Sequence, residues 1–255
     1  MNTLTKTLLA IKTIEDFPMA FMDRFKLVSG NKIYKIRNKK LKFEVRSGTE
    51  DLPEIIVVAS GYEYDFDKIK LPKNPIIVDL GAHIGSFSVY VASILKNKCK
   101  IIAVEPDSQN FSLLKRNLSI NKSHSVKPIK LAISDYKGEA HLRNENMNTD
   151  AYYLDVKNKN NSNCKVDTLV SVMDKMKIKR VDLLKLDVEG SEYEILQHKK
   201  TFAYIKKNVK YVFIEYHELT PGKRYKKIKS LIEDNFDILE RHANILTLQN
   251  KKMKK

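Results

Sequence analysis

Two cysteines, Cys99 and Cys164, are all that this 255-residue chain offers for covalent cross-linking. They are too few for a disulfide framework, and neither belongs to a Cys/His cluster with metal-ligand spacing, so a reducing, cytoplasmic setting is expected. Tryptophan is absent and arginine is scarce, with eight among 47 basic residues. Bidentate phosphate recognition favours arginine, so a net charge of +16 built mainly from lysine points to solvated surface rather than to sequence-specific nucleic-acid binding. No apolar run approaches the ~20 residues that cross a bilayer. Met1 to Lys12 hold only a short apolar stretch broken by Thr and Lys, so neither a membrane span nor a signal peptide is expected.

What is present is enough apolar residue, 42%, for one sizeable core. Residues 1–74 read as a small mixed α+β accessory region. Met1 to Phe25 suit one or two helices, and Ile33 to Arg37, Leu41 to Val45 and Glu54 to Ala59 read as strands between turn residues. Leu71-Pro72-Lys73-Asn74-Pro75 marks a boundary. From there to residue 250 strands alternate with helices, which implies a parallel sheet covered on both faces. The expected strands are Ile76 to Val78, Lys100 to Val104, Val126 to Ile133, Val181 to Leu186 and Val209 to Ile214. Phe87, Tyr90, Val91, Ile94 and Leu95 have helical spacing, Asp107 suits a helix N-cap, and Ser191 with Glu194 suits a capping box. Phe236 to Glu240 and Ile245 to Leu248 are joined by so short a link that only a hairpin is possible. The lysine-rich residues 251–255 form a tail.

Asp79-Leu80-Gly81-Ala82-His83-Ile84-Gly85 stands where the first parallel strand meets the first helix. Gly81 and Gly85 allow a tight turn and close approach of a ligand, and Glu105, ending the second strand, can accept both hydroxyls of an adenosine ribose. Nicotinamide and S-adenosylmethionine enzymes share these features. His83, however, occupies the place where a dinucleotide fingerprint has the glycine that admits a pyrophosphate, and a methionine chain needs less room.

Several stretches together resemble the FkbM-type methyltransferases: Ile76 to Ala82, Val104-Glu105-Pro106, Ala132-Ile133-Ser134-Asp135, Val166-Asp167-Thr168-Leu169, and above all Asp182-Leu183-Leu184-Lys185-Leu186-Asp187-Val188-Glu189-Gly190-Ser191-Glu192. Ile214-Glu215-Tyr216-His217 closes the series, which covers roughly Ile76 to Glu218. His83 departs from the family, which usually has asparagine there. Asp51 and Tyr64 are similar to the region that precedes such domains. The resemblance implies an α/β Rossmann-like class I methyltransferase sheet with a C-terminal antiparallel hairpin. It also implies S-adenosyl-L-methionine as methyl donor and a hydroxyl of a sugar, glycan or secondary metabolite as acceptor. The residues expected around the donor are Asp79, Gly81, Ala82, Gly85, Glu105, Ser134, Asp135 and Asp187.

Ligands of open α/β sheets bind beyond the carboxyl ends of the strands. Asp187 and Glu189 follow the fourth strand, and Glu215 and His217 the fifth, so these four are the candidates for catalytic base, methionine anchor or ligand of a divalent metal. On an extended chain Lys185, Asp187 and Glu189 would share one face. Lys185 interrupts an apolar strand, so a carboxylate is expected beside it. The loop Arg143 to Asn163 and the first 74 residues are where acceptor specificity would reside. An RNA methyltransferase and a catalytically silent binding subunit are the alternatives, although no RNA-binding module is recognisable and Glu105 and Asp187 are retained.

Overall fold

The computed structural model describes residues 3–143, 153–155, 162–217 and 223–254. Most of the Arg143 to Asn163 loop, together with Glu218 and Lys255, lies outside these residues. The N-terminal part contains α1 (Thr3–Thr13), α2 (Phe17–Arg24), β1 (Asn31–Lys35), β2 (Lys42–Arg46) and α3 (Asp51–Ala59). The strands β1 and β2 form an antiparallel pair.

Residues 54–59 are therefore helical and not a strand. The run Ile55-Ile56-Val57-Val58 has strand composition, but Leu52, Ile55, Ile56 and Ala59 recur at helical spacing and are buried against the sheet domain's first helix. Pro53 falls in the first turn, where its missing N–H removes no helical bond. Packing of one face overrides β propensity here.

Then follow β3 (Ile76–Leu80), α4 (Ser86–Ile94), β4 (Lys100–Val104), α5 (Ser108–Ile120), β5 (Val126–Ile129), β6 (Ala132–Ser134), β7 (Gly138–Arg143), β8 (Tyr153–Asp155), β9 (Cys164–Thr168) and α6 (Leu169–Lys175). The chain continues through β10 (Val181–Leu186), α7 (Glu192–Gln197), α8 (Lys199–Asn208), β11 (Val209–Glu215), α9 (Lys223–Asn235), β12 (Phe236–His242) and β13 (Ile245–Asn250). The main sheet has the order β12-β13-β11-β10-β3-β4-β5. Neighbours from β11 to β5 are parallel, whereas β13 runs antiparallel to both β11 and β12.

The expected strand Val126 to Ile133 splits in two. Pro128 lies on the sheet's edge strand, where a lost N–H breaks no interior ladder, and the chain leaves the sheet after Ile129. Ala132–Ser134 instead pairs with β9 in a small second sheet. In α4, Phe87 and Val91 are buried as the periodicity requires, but the helix ends at Ile94, which is exposed. Asp107 caps α5, accepting from the N–H groups of Gln109 and Asn110 at 2.8 Å.

Each central strand divides its side chains between two cores. Ile77, Ile101, Leu183 and Phe213 join α4, α5 and the N-terminal elements in one cluster. Val78, Ile102, Leu184 and Val212 join α6 to α9 in the other. That alternation explains why the strands read as continuous apolar runs.

Candidate active site

The loop after β3 is set by a steric constraint. Gly81 has φ +79°, and a Cβ there would stand 1.7 Å from the Asp187 carbonyl oxygen. Only glycine lets the ends of β3 and β10 approach this closely. Lys185, 2% exposed, fastens the same junction by donating to the Gly81 carbonyl at 3.1 Å and to Asp187 Oδ2 at 2.7 Å, with Asp79 Oδ1 at 3.7 Å. Its ammonium also lies 5.9 Å from the ring centres of Tyr64 and Phe87. The carboxylates expected beside this lysine are therefore Asp79 and Asp187, and Lys185 itself is not on the cleft wall.

Beyond the strand ends opens a cleft of about 410 Å³. Gly81, His83, Glu105, Asn110, Asp187, Glu189, Glu215 and His217 line it, and two acids of the N-terminal part, Glu54 and Glu63, complete its wall. Glu105 is buried; its Oε2 accepts from the His83 N–H at 2.8 Å and its Oε1 from the Asp107 N–H at 2.9 Å. Burial raises its pKa.

The signature Asp187-Val188-Glu189-Gly190-Ser191-Glu192 does not continue the strand. The ladder of β10 ends at Leu186, and Glu189 (φ +52°) and Gly190 (φ +101°) turn the chain sharply. The expected capping box is replaced: Ser191 makes no side-chain cap bond, and the buried Glu192 accepts from the N–H groups of Val188 and Gly190. Glu192 Oε1 also lies 3.1 Å from His217 Nδ1. Across the ring, His217 Nε2 is 3.5 Å from Glu189, 3.8 Å from Glu215 and 3.9 Å from Asp187. Lys185, Asp187 and Glu189 thus do not share one strand face: Lys185 stays in the sheet beneath, and the turn brings Asp187 and Glu189 beside His217.

Burial opposes the charge on His217, but Glu192, Asp187 and Glu189 outweigh it and push its pKa up to about 10. Burial and then Asp187 push Glu215 up to about 7, with Asn244 donating to it at 3.0 Å. Asp187 is held low because Lys185 and His217 overcome the effect of burial. Glu63 is pushed up to about 10 by burial and by Glu54 and Glu215, and its Oε2 is buried without a hydrogen-bond partner. One ligand atom each of Asp187, Glu189 and His217 lie within 4.8 Å of one another, a spacing one divalent ion could bridge.

A family profile described as Methyltransferase FkbM domain matches residues 79–249. The chain belongs to the FkbM methyltransferase family. The family implies S-adenosylmethionine as donor. Methyltransferase sdnD of Sordaria araneosa is 30% identical over 217 residues, covering 71% of this chain and 81% of that protein. The AMB antimetabolite synthetase AmbE of Pseudomonas aeruginosa is 24% identical over 218 residues, of which this chain spans only 10% of the length. The crystal structure of methyltransferase FkbM from Methylobacillus flagellatus has the same fold, with a TM-score of 0.51 at 16% identity, over 77% of this chain and 53% of that one. The order of the seven-stranded sheet with its antiparallel hairpin is the Rossmann-like class I methyltransferase arrangement.

Within this family framework the expected residues divide. Gly81, Glu105, Asp187, Glu189, Glu215 and His217 line the cleft. Asp79 lies beneath it, accepting from Ser88 Oγ at 2.6 Å, while Ala82 is buried in the core. Gly85 (φ +92°) begins α4, and a Cβ there would meet Leu114 at 2.6 Å. Ser134 and Asp135 do not line the cleft; Ser134 is buried and bonded to the exposed Asp135. Residues 131–133 line the wall in their stead.

Among the cleft residues left without a role in the sequence reading are Glu54, Glu63, His83 and Asn110. His83, the departure from the family's asparagine, has Nε2 3.2 Å from Asp51 Oδ1. Arg46 grips Asp51 in a fork, at 2.7 and 2.9 Å, and also donates to Asn110 Oδ1 at 2.7 Å. Asp51 in the N-terminal part is therefore tied to the loop after β3, and the signal for it was its similarity to the region preceding such domains.

Proposed function

We propose that this methyltransferase transfers a methyl group from S-adenosylmethionine to a hydroxyl of a small or glycan acceptor, with Glu215 as general base. Two residues of the cleft support the donor: Gly81 lines it at the end of β3, and Glu105 presents a buried carboxylate at the end of β4, where a ribose can donate to it. When bound, S-adenosylmethionine supplies an electrophilic methyl group. The chain's own residues hold the acceptor oxygen in line and remove its proton, alignment alone accounting for ~7 kcal/mol or more in favourable systems.

The observation that carries the base assignment is the arrangement around His217. Its two nitrogens are committed among carboxylates, so it holds its proton near neutral pH and is a poor acceptor. Asp187 is spent on Lys185. Glu215 faces the cleft, accepts from Asn244, and titrates near the working pH, where a general base is most effective.

Among the described residues the cleft lining holds no lysine or arginine to pair with phosphate, and Asp187 keeps its negative charge there, which favours a small acceptor over RNA. Incubation with methyl-labelled S-adenosylmethionine and separate pools of glycans, small hydroxylated metabolites and RNA tests this; label is expected in the first two, and transfer to RNA alone would overturn it. Glu215→Gln is expected to lower kcat by ~10²–10⁴-fold with donor affinity kept, and the rise of kcat/KM with pH through about 7 should disappear. Full activity in that variant would refute the assignment. Dialysis against EDTA is expected to leave turnover intact; loss restored by one divalent ion would replace proton transfer by Glu215 with metal-assisted transfer at Asp187, Glu189 and His217.

A further inference from the structure

A second cavity, of about 400 Å³, lies between α1, α2 and α3. Its lining is largely apolar: Ala10 of α1, Phe17 and Phe21 of α2, and Ile56 and Val57 of α3. Phe17, Phe21 and Phe25 form a ladder with ring centres 6.1 and 4.7 Å apart, and Phe21 and Phe25 remain 48% and 59% exposed. Large aromatic side chains left open beside a groove are costly for a chain with no further use for them, and such patches mark binding surfaces.

What points to the occupant is that the groove adjoins the cleft. Glu54 lines both spaces. It projects from α3 on the same face as Val57, one turn on, which lines the groove, and its Oε1 accepts from Ser86 Oγ at the start of α4. One face of α3 therefore borders both the apolar groove and the polar cleft. We infer that the acceptor is an amphiphile whose hydrocarbon chain lies in the groove of α1, α2 and α3 and whose hydroxylated head passes Glu54 into the cleft. This rests on the reading of the cleft as the methyl-transfer site, and it assigns the N-terminal helices to acceptor recognition.

The chain contains no tryptophan, so Phe21→Trp introduces a single reporter. The probes are n-alkyl β-D-maltosides of eight, ten and twelve carbons, each below its critical micelle concentration, with maltose as control. A saturable blue shift is expected for the alkyl maltosides and none for maltose. Affinity should rise by about tenfold for each two added methylenes. Placing Asp at Val57 in the reporter chain should weaken the twelve-carbon probe at least tenfold; if that variant does not fold, Phe25→Asp at an exposed position serves instead.

No saturable shift, an equal shift with maltose, or no dependence on chain length would overturn the inference. A shift seen only with micelles or with phosphatidylglycerol vesicles would overturn it too, and would make this face a membrane-docking surface. Calorimetry with S-adenosylhomocysteine separates the two readings: absent donor binding defeats the methyl-transfer reading, whereas normal donor binding without alkyl binding defeats the groove alone.

Discussion

His83 shows how one side chain can join two parts of a chain that have little sequence pattern in common. Its ring is buried, with Nε2 on Asp51, and its backbone N–H is spent on Glu105, so a substitution here is felt by both the accessory region and the loop after β3. Burial works against charge on His83, but Asp51, Glu54 and Glu105 raise its pKa above the ordinary 6.5. Asp51 is held below its ordinary 3.8, because bonds from His83 and Arg46 outweigh burial. A raised imidazole stabilises the fold fully below pH 6.5 and stops doing so as pH rises through the folded value. A depressed carboxylate stabilises above pH 3.8 and stops as pH falls through its folded value. The pair therefore stabilises most between about pH 4 and 6.5. The melting-temperature gap between the native chain and Asp51→Asn is expected to be widest in that window and to narrow on both sides. A gap that narrows on the acid side only, and not as pH rises through the folded imidazole value, would show that Asp51 acts through Arg46 alone.

At the scale of elements, the strands of the parallel sheet were legible because the two faces of the sheet are both buried and each strand is a short apolar run closed by turn residues. The hairpin of β12 and β13 followed from the length of its link alone. What escaped reading depends on contacts distant in sequence. Helix α3 has strand composition and becomes a helix by packing on α4, and Glu54 and Glu63 reach the cleft only through that packing. The exit of the chain after Ile129 rests on pairing with β9, which no local pattern announces. Lys185 was readable as a buried charge in need of a partner, but the function of the pair is to close the junction of β3 and β10. Removing its ammonium leaves Asp79 and Asp187 buried without their cation, which costs about 3–5 kcal/mol. Lys185→Met is thus expected to unfold at lower denaturant concentration with an unchanged slope; a midpoint equal to that of the native chain would contradict the clamp.

Over the whole molecule, charge is divided unevenly: a net +16 on the chain encloses a cleft whose ionisable lining is mostly carboxylate. The two have different consequences. Exposed lysines attract any polyanion through counterion release, a term that carries no sequence information and weakens steeply with salt. The cleft, with low-dielectric walls, an ionised Asp187 and no lysine or arginine among its described lining residues, gives phosphates little to pair with at the proposed point of methyl transfer. Binding and reaction should therefore separate. Fluorescence anisotropy with labelled single-stranded RNA is expected to show weak association that falls by orders of magnitude between roughly 50 and 200 mM salt, equally for unrelated sequences. Under the same low-salt conditions, bound RNA should receive no methyl label and should not displace S-adenosylhomocysteine. Sequence-selective binding that survives physiological salt, or displacement of the donor product by RNA, would mean that the basic surface delivers nucleic acid to the cleft despite its charge.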